Sequence, residues 1–159
     1  MRVKRLTTGA AMAAGALAAA SLAFAPSALA VTPDTATITA DCGAFGGGAA
    51  TLTATQDGTS ATLTLTSSAI TAPIALSENS ITSTLTMANS ATGGTDTFTG
   101  TQNPAMAAGD PVTVGPLSGT VASGDSLDAY GGSLQMTVFG ITITCTATGP
   151  QSPGPFVFD

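Results

Sequence analysis

Threonine falls on every second position in run after run of this chain. Thr51/Thr53/Thr55, Thr62/Thr64/Thr66, Thr82/Thr84/Thr86, Thr95/Thr97/Thr99 and Thr142/Thr144/Thr146/Thr148 are the longest sets. Apolar side chains fill the gaps, among them Leu52, Leu63, Leu65, Leu85 and Phe98. A period of two with β-branched residues describes a strand with one wet and one buried face. No stretch beyond residue 30 repeats its apolar residues at helical spacing.

Turn signals cut these runs at short intervals. Gln56-Asp57-Gly58 reads as a hairpin, and Gly93-Gly94, Gln102-Asn103-Pro104, Gly109-Asp110-Pro111, Ser123-Gly124-Asp125 and Gly131-Gly132 punctuate the rest. The pattern predicts strands near 35–42, 49–55, 60–67, 70–76, 80–88, 95–100, 111–121, 133–139 and 141–148. Seven to nine short strands without helices imply an all-β, two-sheet antiparallel β-sandwich, with a barrel as the alternative. The spacing between runs is irregular, which disfavours a solenoid.

The N-terminus reads differently. Arg2, Lys4 and Arg5 precede an uncharged stretch from about Leu6 to Ala25, and Ser27-Ala28-Leu29-Ala30 ends it. A basic start, an apolar middle and small residues before a cut describe a secretory signal. Ala28 and Ala30 take the two small positions, and Val31 becomes the first mature residue. The expected domains are the signal, 1–30, and one β-domain, 31–159, with a Pro-rich tail over 149–159. The tail carries no apolar anchor, so the mature protein is expected to be secreted, extracellular or associated with the cell wall.

The three Lys and Arg of the chain are Arg2, Lys4 and Arg5, and histidine is absent. Residues 31–159 therefore hold nine acids and no cationic side chain, a side-chain charge of −9. Such a surface repels polyanions and excludes nucleic acid as a partner. Without His, Lys or Arg, a Ser–His–Asp triad, a Ser–Lys dyad, a Schiff base and an arginine clamp cannot be built. Paired carboxylates could in principle hydrolyse glycosides. But there is no Trp and a single Tyr, Tyr130, to stack on sugars. The acids mostly sit beside Gly, Pro or Ser, where their ordinary role is turn formation. The expectation is no enzyme, no cofactor and no metal. Asp125 and Asp128 in "GDSLDAYGG", with Asp110 elsewhere, raise calcium only as an alternative, because no D-x-D-x-D-G run is present.

Cys42 and Cys145 are the two cysteines. Ala36, Ile38, Ala40 and Cys42 share strand parity, as do Ile141, Ile143 and Cys145, so both cysteines fall on an apolar face. In an oxidising compartment they are expected to pair, Cys42–Cys145. The expected inward set is Ala36, Ile38, Leu52, Leu63, Leu65, Leu85, Met87, Leu134, Met136, Val138 and Ile143. Small aliphatic residues of this kind predict a filled core, with any aromatic cluster at the tail end. In the tail, Phe156 and Phe158 are expected to dock as a short edge strand; the alternative is addition to a partner's sheet. The threonine rows resemble ice-contacting faces, and the hydroxyls could also accept O-linked sugars.

Composition, signal and strand content together resemble small secreted domains of immunoglobulin-like build from actinobacteria. The neocarzinostatin apoproteins are similar in size, acidity and strand content, and that likeness implies a sandwich that carries an apolar chromophore. Their short-range disulfides are replaced here by one long-range pair. The immunoglobulin signature is missing too: Tyr130 is followed two residues later by Gly132, not Cys. The expected function is a non-enzymatic structural or interaction module, in which a cell-envelope component would be the partner. Carriage of a small apolar ligand is the first alternative and ice binding a remote one.

Overall fold

The computed structural model describes residues 31–159. The expected signal, with Ala28 and Ala30, lies outside the described residues. The alternating runs form strands β1 (Thr35–Asp41), β2 (Gly47–Asp57), β3 (Ser60–Thr71), β4 (Thr82–Asn89), β5 (Gly94–Gly100), β6 (Pro111–Thr120), β7 (Ser126–Val138), β8 (Ile141–Ala147) and β9 (Phe156–Val157). Among the described residues the sole helical piece is a 3-10 turn, Gly43–Phe45.

All pairings are antiparallel. The order is β4-β5-β6-β3-β2-β1-β8-β7, and β7 pairs back onto β4. The sheet therefore closes on itself as an eight-stranded barrel, with β9 attached to β7. This corrects the two-sheet sandwich. In a sandwich β4 would be an edge; here it pairs with β5 on one side and, from Thr82↔Thr137 to Asn89↔Leu127, with β7 on the other.

Glycine makes the closure possible. The register between β4 and β7 shifts between Thr86 and Ala88. Opposite that shift lies Gly132, where a Cβ would stand 1.9 Å from the Thr86 carbonyl oxygen. Its neighbour Gly131 has φ +87°. A bulge of this kind bends a strand and increases its twist, which is what a closing sheet needs. Gly131-Gly132 is thus no turn between strands but the bend inside β7. Asp128 and Tyr130 accordingly lie on a strand, not in a loop.

The core obeys the alternation. β1 reads exposed-buried throughout, and Leu52, Leu63, Met87, Phe98, Leu117 and Leu127 are fully enclosed. Nine of the eleven expected inward residues are buried; Val138 and Ile143 are only half-buried. Threonine covers the outside in registered rows, such as Thr37↔Thr51↔Thr66↔Thr113 and Thr35↔Thr53↔Thr64. Hydroxyls bond across the strands between Thr55 and Thr62 at 2.7 Å and between Thr137 and Thr142 at 3.1 Å. Apolar inside and hydroxyl outside is the reverse of a membrane-spanning barrel.

Cys42 and Cys145 form a disulfide, with their Cα atoms 4.0 Å apart. It staples one of the two short seams of the barrel, the other being β5–β6, which pairs at Thr99↔Ser118 alone. β1 and β8 pair only at Ala40↔Ala147 and Asp41↔Thr146. Beyond them, Thr148 N–H bonds to the Thr39 carbonyl and Thr37 exchanges two backbone bonds with Ser152.

The tail plugs one end of the barrel. Phe156 pairs with Leu127 and Val157 with Ser126. Phe156 and Phe158 are both 0% exposed. Gln56 clamps the last residue, its Nε2 donating to the Asp159 carbonyl and its Oε1 accepting from the Asp159 N–H. The docked-tail expectation is correct: both phenylalanines are buried in the chain's own core.

Candidate ligand-binding mouth

At the opposite end the strands stop without a plug. The C-terminal ends of β1, β3 and β7 and the N-terminal ends of β4, β6 and β8 meet there, around a cavity of about 350 Å³. Three local devices shape it.

The first follows β1. Cys42 N–H bonds to the Gly46 carbonyl, and Asp41 Oδ1 accepts the Gly43 N–H at 2.8 Å. This closes the 3-10 turn and holds Ala44 and Phe45 at the rim.

The second is the end of β3. Ser67, buried, donates its hydroxyl to the Ala49 carbonyl at 2.7 Å and accepts the Ile70 N–H at 3.1 Å. Against β6 the register jumps between Ser67 and Thr71, so the intervening residues leave the ladder. Ile70 then faces the cavity, and the chain runs on through Thr71, Ala72, Pro73, Ile74 and Leu76 as its wall. This segment was expected to be a strand, 70–76. Ile70 and Thr71 instead end β3, and 72–76 is a loop because Pro73 gives no N–H to a ladder. Leu76 and Met106 still exchange a pair of backbone bonds. The buried Asn103 pins the loop: its Oδ1 accepts the Ser80 and Ile81 N–H groups, and its Nδ2 donates to the Ser77 and Pro104 carbonyls.

The third is the β7–β8 hairpin. Val138↔Ile141 is its last pair, so Phe139-Gly140 is a two-residue turn. Both turn residues have positive φ, +50° for Phe139 and +77° for Gly140. Asn-Gly or Gly-Gly ordinarily fills such a turn, because a bulky side chain is strained there. The Phe139 ring nonetheless stands at the rim, 71% exposed.

Met136, Val138, Ile141, Ile143, Ile81, Val112 and Cys42 complete the lining. Thr71 is the one polar side chain, and no ionisable group lines the cavity. The two half-buried members of the expected core, Val138 and Ile143, belong to this mouth. The filled-core expectation therefore holds for the shaft and the tail end and fails here. Behind the disulfide the shaft retains only a crevice of about 20 Å³. The aromatics Phe45 and Phe139 sit far from the tail, not near it. A second depression, about 450 Å³, lies beside Val31, Thr32, Pro33 and Asp34. It is a shallow dish of mixed polarity where the described residues begin, and it encloses nothing.

Several acids bond to backbone N–H groups. Asp110 Oδ2 accepts the Ala107 N–H and Asp125 Oδ2 the Ala122 N–H, both at 2.7 Å. Asp125 Oδ1 and Asp96 Oδ2 share the amide of the buried Asn89. Asp128 Oδ1 accepts from Tyr130 and Gln151 N–H groups. Asp110 and the Oδ2 of Asp125 take the turn role expected of them, whereas Asp128 lies on β7 and Asp125 and Asp96 also hold the Asn89 side chain. Among the described residues no three acids or cysteines gather as a metal site.

Comparison with protein-family models, with curated proteins and with solved structures found no match.

Proposed function

We propose that the protein is an exported, non-enzymatic barrel that carries an apolar small molecule in its open mouth. One observation carries the reading. Phe139 occupies a turn position that disfavours it and leaves most of its ring in water. Neither backbone preference nor burial accounts for a phenylalanine there. A ligand lying against the ring does. The mouth behind it is of drug-sized volume and apolar, as small-molecule sites are. The disulfide supports export, because such bonds persist in oxidising compartments. Carboxylates engaged with backbone N–H groups, and the lack of any cationic side chain in 31–159, support a role without catalysis.

A second reading, an interaction module docking on a cell-envelope component, rests on the same rim, since Ile141 is also exposed beside Phe139. Ice contact draws less support, because the threonine rows ride on a wall that curves around the barrel axis. The test is saturable binding of the neutral dye Nile red. Wild-type protein is expected to bind it with blue-shifted emission. Phe139→Asn, which suits the turn better, is expected to keep its thermal midpoint and to bind about tenfold more weakly, a loss of ~1.4 kcal/mol. Absence of dye binding to the folded wild type would leave the docking module as the better reading.

A further inference from the structure

Resting on the carrier reading, we infer that the mouth selects against acidic ligands: its occupant is an apolar molecule whose head group is neutral or positively charged. Two observations combine. The cavity wall contains no charged side chain and a single hydroxyl, that of Thr71. A carboxylate drawn to this end would lose hydration and find no cation and a single hydroxyl to replace it. Elsewhere in 31–159 there is no Lys, Arg or His either, so once residues 1–30 are removed no cationic side chain remains to swing in from the rim or a loop. What stands at the rim has the wrong sign. Asp41 precedes the lining residue Cys42, and the backbone of Asp110 bonds to that of the lining residue Ala72. Their field, with the −9 of the whole surface, opposes an approaching anion and favours a cation.

The ligand chemistry follows. An alcohol, an ester or an amine on an aliphatic or isoprenoid body fits. A free fatty acid, a sulfate ester or a phospholipid of net negative charge does not. The Thr71 hydroxyl, which can both donate and accept, can satisfy one neutral polar head.

The experiment is displacement of Nile red by three probes of equal chain length, dodecanol, dodecylamine and dodecanoate, at neutral pH and low salt, each below its aggregation limit. Phe139→Asn serves as the control for binding at the mouth. The expected result is displacement by the alcohol and the amine, with dodecanoate weaker by about tenfold or more and the gap narrowing as salt is raised. Dodecanoate competing as well as dodecanol would overturn the selectivity while leaving the carrier reading intact. A dye that binds wild type and Phe139→Asn alike, or not at all, would sink the carrier reading and this inference with it.

Discussion

Replacing Cys42 and Cys145 together with alanine is expected to cost about 4–5 kcal/mol of folding stability. The bridge spans a sequence separation of 103. In the chain-entropy account a closed loop of that length restricts the unfolded chain by about 4.7 kcal/mol. The position adds to the effect. Only two register pairs join β1 to β8, so the covalent link reinforces one of the barrel's two short seams. Cys42 also borders the mouth, so loosening this seam is expected to weaken dye binding in the folded fraction. Urea denaturation measures the stability. The midpoint should fall and the slope rise, because the unlinked chain exposes more surface when unfolded. A loss below about 1 kcal/mol would mean that the remaining ladder closes the barrel unaided.

Phe156→Ala and Phe158→Ala are each expected to cost about 3–5 kcal/mol, the usual range for emptying a fully buried aromatic site. Apart from the two rings, the tail is held by hydrogen bonds: two register pairs to β7, bridges from Thr32 to Val157 and from Thr37 to Ser152, Phe158 to Gly124 and Asp125, Gln151 to Asp128 and Ala129, and the Gln56 clamp. Against a typical total of about 5–15 kcal/mol, the double variant is expected not to fold. Hydrogen exchange gives the local reading. In either single variant the amides of Ser126 and Leu127 should lose protection before those of β2 and β3. Uniform loss across the barrel would show that the tail is integral to the core and not a separable plug.

Much of this fold is legible in the chain. The threonine alternation assigns an inside and an outside to nearly every strand residue, and burial follows it in β1, β2 and β4 and along β3 as far as Ser67. The same parity places Cys42 and Cys145 inward, which suffices to pair them. Closure was not legible, because a sandwich and a barrel demand the same alternation and differ only in whether β4 meets β7. The deciding residues, Gly131 and Gly132, carry the composition of a turn and act as a bulge. The loop after Thr71 misleads for the opposite reason: Ile70, Ile74 and Leu76 alternate as a strand would, but they line a cavity. The mouth itself had one signal, an aromatic before glycine at Phe139-Gly140. Strand parity treats that residue as the end of β7; only the hairpin register shows it to be a turn residue with positive φ.

The central claim is that one end of the barrel is filled by its own tail and the other is open to an apolar ligand. Titration of the isotopically labelled protein with dodecanol, followed by amide chemical shifts, tests it directly. The account predicts saturable shifts at Cys42, Phe45, Ile70, Ile74, Phe139 and Ile141, with the amides of Phe156, Val157 and Phe158 unmoved. Shifts centred on the tail, or scattered over the threonine wall with the mouth silent, would contradict it.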